Sequence, residues 1–482
     1  MPKRPRTRKF SQRQTSDDGA VSSRGESSNT RSSHVSTSRS QPNDIEKALK
    51  ELKKTIAGQR SAASFACGGT ITICGGFGTG GGSGAVSTSP PVKVYWSVQE
   101  EMDANKVVLP WNRASADSSP AALQQLASDC SPATFGRGNQ DVLDPSYRQA
   151  GKMEPANFAT RFYPADFRII TLIERILLPS VSSDKENSMQ GRVISAELYK
   201  LNIYSSPSGL FKSHVNTPCS VRQVGSLVVC LPTAFKGGNL LVRHRGKEVD
   251  FDRAPKSATA IQWAAFYSDC SHEIKTVTEG DRLTLTYNLY VTKPEHASKV
   301  IPSSLVEPWT LPIYGQLDAL FRNPQFLPNG GVLGIYCAHA YAHTSKVANT
   351  NLPLTLKGSD LVLYSVLHAL GATVSIRPVL EVDRDHYNWG HGCETEDGEL
   401  VGEQLHPYQQ SSSTTEYGPL DQIISSEWPH SRMTRITWLT SQKHWEQALS
   451  YVAYGNESSV ETSYSAAAIL ATIPHWNKRS SS

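Results

Sequence analysis

Residues 198–291 decide the fold. LYKLNIY (198–204), GSLVVCL (225–231), NLLVRH (239–244), ATAIQWAAFY (258–267) and RLTLTYNLYV (282–291) follow one another across this stretch. Each fits a pleat that is apolar on one face, and Gly, Pro, Asn and Ser separate them, so they read as short β-strands. Within that frame sit His214-Val215-Asn216, then His272, then Arg282. Residues i and i+2 of a strand point to the same side, so His214 and Asn216 converge on one point.

An H-x-D-like pair, a later histidine and then a basic residue suit a metal held on one face of an octahedron. Two imidazoles and a carboxylate supply such a site and leave three positions open. Taken singly, each histidine reads as an ordinary core or surface residue. Together with Arg282 and their flanks they resemble the iron(II)- and 2-oxoglutarate-dependent dioxygenases, in the prolyl 4-hydroxylase-like branch. They are similar in particular to uncharacterised fungal proteins with HVDTPRS-type and WAAFYxDCxHE segments. Here those segments read HVNTPCS (214–220) and WAAFYSDCSHE (263–273). Two departures stand out: Asn216 in place of the family's Asp, and Cys219 in place of its usual Arg.

The resemblance covers the core and extends more loosely through the C-terminal half. It implies an α+β fold: a double-stranded β-helix (jelly-roll) core, flanking helices and a C-terminal α+β extension. It implies Fe(II) and 2-oxoglutarate as cofactors, with His214, Asn216 and His272 as the metal set. Arg282 would bind the far carboxylate of 2-oxoglutarate, since a guanidinium meets a carboxylate bidentately. Thr284, on the same strand face, would add a hydroxyl. Tyr204 and Tyr199 are candidates to hydrogen-bond the cosubstrate, and strand register decides which points inward. The co-reactant is dioxygen, and the hydroxylated substrate is a protein side chain or a small molecule. An amide at position 216 brings iron a dipole and no charge, so weakened metal binding and reduced turnover are expected. The first rival reading is therefore a catalytically impaired binding module on the same fold.

Composition sets the outer bounds. The 482-residue chain is 38% hydrophobic and carries a formal net charge of +4. Residues 1–44 hold nine Lys/Arg and four Asp/Glu, so the basic balance belongs to this Ser/Arg-rich stretch. With almost no aliphatic residues it reads as a disordered tail. Its start, PKRPRTRK, suits a nuclear signal or a weak nucleic-acid contact, which is the second rival reading. No run of eighteen apolar residues predicts a membrane helix. The eight cysteines include no C-x-x-C pair, which argues against a structural zinc site of the usual spacing. A reduced, intracellular protein, cytoplasmic or nuclear, is expected.

The chain divides into the tail (1–44), a helical and strand support region with a Gly-rich insertion (45–190), the core (191–295) and a C-terminal α+β region (296–482). Spacing predicts a short helix over IEKALKELKK behind Asn43 and Asp44, and helices over 119–129 and 164–178. Gly76, Gly78 and Gly81 match G-x-G-x-x-G, but no helix follows, so a nucleotide site is not expected. FACGGTITI and PVKVYW read as strands on either side of that insertion. Residues 180–192 read as loop, and 383–430 as a loop-dominated insertion. Beyond the core, GGVLGIYCAHAY and TVSIRPVLEV read as strands and SDLVLYSVLHALG as a helix. The segment beginning HWEQALSYVAYGNE looks partly helical. His339 and His343 read as a surface-loop pair, and Trp389-Gly390-His391 as a loop that could border a groove.

Overall fold

Eight of the strands between Val193 and Thr292 form two sheets of four, and Phe235–Gly237 pairs with the start of the last of them. The eight are β1 (Val193–Ser205), β2 (Leu210–Val215), β3 (Gln223–Cys230), β4 (Leu240–His244), β5 (Lys247–Phe251), β6 (Ala260–Tyr267), β7 (Ser271–Ile274) and β8 (Val277–Thr292). One sheet runs β6–β3–β8–β1 and the other β5–β4–β7–β2, with every pairing antiparallel. Ala66–Ile73 extends the first sheet beyond β6 and Gly151–Met153 extends it beyond β1. Arg148–Gln149 edges the second sheet beside β2. The chain is thus a mixed α/β protein, mostly strands, with several sheets.

These features belong to a computed structural model that describes residues 42–73, 88–97, 104–111, 120–137, 140–181, 191–216, 219–293, 305–381, 398–415, 427–453 and 459–479. Residues 1–41 of the basic tail, the Gly76–Gly81 motif and Trp389-Gly390-His391 lie outside the described residues.

Alternation in the sequence becomes two-sidedness in the sheets. On β8, Arg282, Thr284, Thr286 and Asn288 share one face, while Leu283, Leu285, Tyr287 and Leu289 pack into a buried apolar cluster on the other. The helix α2 (Ile169–Leu177) buries Ile169, Ile173 and Leu177 in that same cluster. Each fully buried aliphatic side chain of this kind contributes about 1.5–3 kcal/mol. The helix expected over 164–178 is in fact two pieces. A 3₁₀ turn covers Pro164–Phe167, and α2 begins after Arg168, whose φ of 59° is left-handed and interrupts the helix.

The N-terminal helix is longer than its capping signal suggested. α1 spans Pro42–Ala62, so the helix begins ahead of Asn43 and Asp44. Its length follows from tertiary packing: Leu52 and Ile56 are fully buried with residues of α3 (Pro312–Phe321) and α4 (Gly358–Ala369). The segments FACGGTITI and PVKVYW are strands but not partners. Val92–Trp96 pairs instead with Asn105–Leu109.

A second large sheet lies in the C-terminal part. β9 (Gly331–Tyr336) and β10 (Thr373–Leu380) flank β11 (Ser459–Ile473), which also pairs with Glu446–Ala453. The helix-like segment HWEQALSYVAYGNE is corrected by this pairing, because Glu446–Ala453 is a strand. Edge-to-edge hydrogen bonding with β11 overrides the weak helical preference of its Glu, Gln, Ala and Leu. The region read as loop over 383–430 likewise contains strands at Glu399–Gly402 and Gln409–Thr415. Ser180–Val181, read as loop, pairs in parallel with Leu305–Val306.

Candidate metal and cosubstrate site

The two sheets enclose a cavity of about 310 Å³. His214, Asn216 and His272 stand on its wall, together with Tyr199, Tyr204, Cys219, Ser226 and Thr284.

His214 on β2 and His272 on β7 are direct register partners. Their ring centroids lie 4.1 Å apart, and Phe211 and Phe266 press on the outer sides at 3.6 and 4.6 Å. Burial in this aromatic surround lowers the His214 imidazole to about 4, with the nearby Arg148 charge adding to the effect. His272 falls to about 3, first by burial and then by His214 itself. Both rings are therefore neutral near neutral pH. Each Nδ1 faces the carbonyl two residues earlier, Lys212 at 2.9 Å and Cys270 at 3.3 Å. With the proton on Nδ1, each Nε2 carries the lone pair that a metal needs.

Asn216 follows β2 directly. Its Nδ2 donates to Ser226 Oγ at 3.1 Å, and its side chain also hydrogen-bonds His214. Cys219 is exposed at the cavity rim. Its backbone N–H donates to Gln223 Oε1 at 2.7 Å, and its Sγ accepts from Asn288 Nδ2 at 3.9 Å.

Register separates the two tyrosines. Tyr204 is directly opposite Arg282 across β1 and β8, and is 3% exposed. Tyr199 lies beside the irregularity between Leu198 and Lys200, and at 39% exposure it stands at the mouth of the cavity. Arg282 is not a strand-start charge, because β8 begins five residues earlier at Val277. It is 1% exposed, and its Nε and Nη1 have no hydrogen-bond partner among the described residues. Its guanidinium carbon lies 5.6 Å from the Tyr204 ring. It sits one step along the strand face from Thr284, beyond the cavity wall proper. Gly238 makes room for it: with φ of +67°, a Cβ there would lie 3.0 Å from Arg282 Cδ.

A buried guanidinium with orphaned donors is costly unless an anion meets it. The residues present therefore fit the groups that the sequence implied. Neutral His214 and His272 suit a divalent metal, Asn216 offers a neutral third donor, and Arg282 offers two buried N–H groups, without partners among the described residues, to a carboxylate.

Sequence reasoning missed Arg148. Its Nη2 donates to Asn202 Oδ1 at 2.8 Å, its Nη1 to the Thr134 carbonyl at 2.6 Å, and its guanidinium lies 4.4 Å over the Phe211 ring. No local signal marks it, because a two-residue edge strand brings it to the cavity. The reading of His339 and His343 as a surface pair is also corrected. They are 4% and 2% exposed; His339 Nδ1 lies 3.0 Å from Asp269 Oδ2, and His343 Nε2 lies 2.9 Å from Ser465 Oγ.

No family model matches the chain, and no curated protein matches it. Among solved structures it is similar to a 2OG-Fe(II) oxygenase family oxidoreductase from Burkholderia pseudomallei, at 14% identity over 35% of this chain and 77% of that one, TM-score 0.21. It is similar to a Pseudomonas putida prolyl-4-hydroxylase at 17% identity over 35% and 82%, TM-score 0.24. A third is a prolyl hydroxylase from Trichoplax adhaerens in complex with a hypoxia inducible factor oxygen degradation domain peptide, at 12% identity over 52% and 94%, TM-score 0.20. These overlaps are partial, none of the three proteins is fungal, and the functional reading rests on the residues of the site. Among the described residues, no helix is long and apolar enough to cross a membrane.

Proposed function

We propose that this protein is an iron(II)- and 2-oxoglutarate-dependent dioxygenase of the prolyl 4-hydroxylase-like kind, built on a double-stranded β-helix formed by β1–β8. The observation that carries the proposal is the pairing of His214 with His272 on the second sheet, facing a first sheet that buries Arg282, whose Nε and Nη1 have no partner among the described residues. In this reading residues 191–295 do the chemistry, and 45–190 and 296–482 support them.

Iron(II) and 2-oxoglutarate, when bound, would supply with dioxygen the oxidising power to hydroxylate a substrate C–H bond, with succinate and carbon dioxide as the other products. The chain's own residues do the rest. His214 and His272 offer Nε2 lone pairs on one side, with Lys212 and Cys270 carbonyls fixing the tautomer. Asn216 completes the set through its amide oxygen while its Nδ2 stays on Ser226. Arg282 neutralises the far carboxylate, with Tyr204 and Thr284 beside it. Tyr199 and Cys219 border the mouth, where a substrate would enter. Phe211 and Phe266 keep water from the metal side. The substrate class is a protein side chain, with a small molecule as the alternative.

One observation favours a second reading. Asn216 brings no charge, and its Nδ2 is held by Ser226, so the fold could serve as a binding module with a weakened metal site.

Anaerobic titration with iron(II) and 2-oxoglutarate tests both readings. The readouts are the visible charge-transfer band and succinate formation once oxygen is admitted. A band lost in His272→Ala supports the dioxygenase. A band seen only in Asn216→Asp supports the disabled enzyme. No band in either variant or in the native protein removes the cosubstrate site altogether.

A further inference from the structure

A second group of metal-type donors lies where the core meets the C-terminal sheet, and it shares no residue with the cavity. His244 ends β4, Asp269 sits in the turn between β6 and β7, and His339 follows β9. One ligand atom from each lies within 4.8 Å of the others. Asp269 Oδ2 is 3.0 Å from His339 Nδ1 and 3.9 Å from His244 Nδ1. The three side chains are 9% (His244), 6% (Asp269) and 5% (His339) exposed. The two imidazoles are stacked, centroids 4.6 Å apart.

Hydrogen bonding within the group accounts for part of this arrangement. Asp269 Oδ2 accepts from His339 and from the Ala340 backbone N–H, and Oδ1 accepts from Lys357 Nζ at 3.1 Å. It does not account for His244, whose buried Nε2 has no partner among the described residues. A polar nitrogen enclosed this way is costly unless something meets it. Two imidazoles and one carboxylate, drawn from three separate segments and largely buried, make an N₂O donor set suited to a zinc-type ion.

We propose that His244, Asp269 and His339 form a second divalent-metal site of the zinc type, which fastens the C-terminal region to the core. Asp269 Oδ2 binds the ion while Oδ1 keeps Lys357, and water takes the fourth position. His339 would bind through Nδ1, the nitrogen that faces Asp269 Oδ2. Lys357 is a competitor as well as a neighbour. Its ammonium, also within 3.1 Å of Ser268 Oγ, already offsets much of the carboxylate's charge and should keep the metal affinity moderate. The inference does not depend on the dioxygenase reading, since the cavity histidines take no part.

The test is metal content of the full chain after dialysis against zinc, with cobalt(II) absorption as a second readout. In a His214→Ala/His272→Ala background, one equivalent of zinc should remain, with a visible cobalt band. His244→Gln or His339→Ala in that background should remove both. No zinc or cobalt bound above the buffer control, or binding that survives His244→Gln, overturns the site. Far-UV circular dichroism checks that each variant is folded. The Lys357→Met variant gives an independent arm, because removing the ammonium leaves the buried carboxylate to the metal. Zinc affinity should then rise about tenfold or more. A Lys357→Met protein that still binds no zinc shows that the cluster is a hydrogen-bond network and nothing else.

Discussion

His214 and His272 are cross-strand partners whose rings meet at 4.1 Å on the floor of the cavity. Their neutrality is a property of the pair: each is buried against a phenylalanine, and His214 further depresses His272.

The pair makes stability depend on pH in a defined direction. Histidine's ordinary value is 6.5, while His214 is lowered to about 4 and His272 to about 3. Below pH 6.5 the unfolded chain takes up protons that the folded, metal-free protein refuses. The contribution is thus present above pH 6.5 and is lost as pH falls through 4 and then 3. Urea midpoints of chelator-treated protein should fall across that window, and His272→Phe should flatten the decline. An equal slope in both proteins means that the rings are not held neutral.

Asn216→Asp should strengthen metal binding by about tenfold or more, because the third donor gains a full charge. Ser226, which now accepts from Asn216 Nδ2, would turn to donate its hydroxyl proton to the new carboxylate. Equilibrium dialysis with iron(II) or manganese(II) measures the change. An unaltered affinity places the third donor elsewhere.

Arg282→Met separates binding from stability. Cosubstrate binding should be lost, while the ligand-free protein becomes no less stable, because the change removes a buried charge with orphaned donors. Replacing such groups with apolar ones is often neutral or stabilising by about 1–4 kcal/mol. Thermal unfolding with and without 2-oxoglutarate reads both effects. A large loss of stability without ligand shows that the guanidinium is satisfied by the protein itself.

Asp360 should behave in the opposite way. Its fully buried carboxylate accepts from the backbone N–H groups of Ala338 and His339, from Tyr341 Oη and from Arg60, joining α1, α4 and the segment after β9. Asp360→Ala strips one partner from Arg60 and leaves those donors unmet, costing about 3–5 kcal/mol in chemical denaturation. A loss below 1 kcal/mol means that water replaces the carboxylate.

The sequence by itself determined the strands of the core and the positions that alternate along them. Period-two patterning is local, so LYKLNIY, ATAIQWAAFY and RLTLTYNLYV were legible without a fold. It also singled out His214, Asn216, His272 and Arg282, because their flanks carry the resemblance. Only the tertiary structure decided what long-range pairing controls. It set Tyr204 opposite Arg282 and left Tyr199 at the mouth, a difference of register that no local pattern encodes. It made Glu446–Ala453 a strand by giving it β11 as a neighbour, and buried His339 and His343 where the sequence suggested a surface loop. Arg148 reached the cavity, and His244 reached Asp269 and His339, through contacts between segments far apart in the chain. Such meetings depend on how sheets stack, and their energy lies in burial and desolvation that no single stretch of sequence displays.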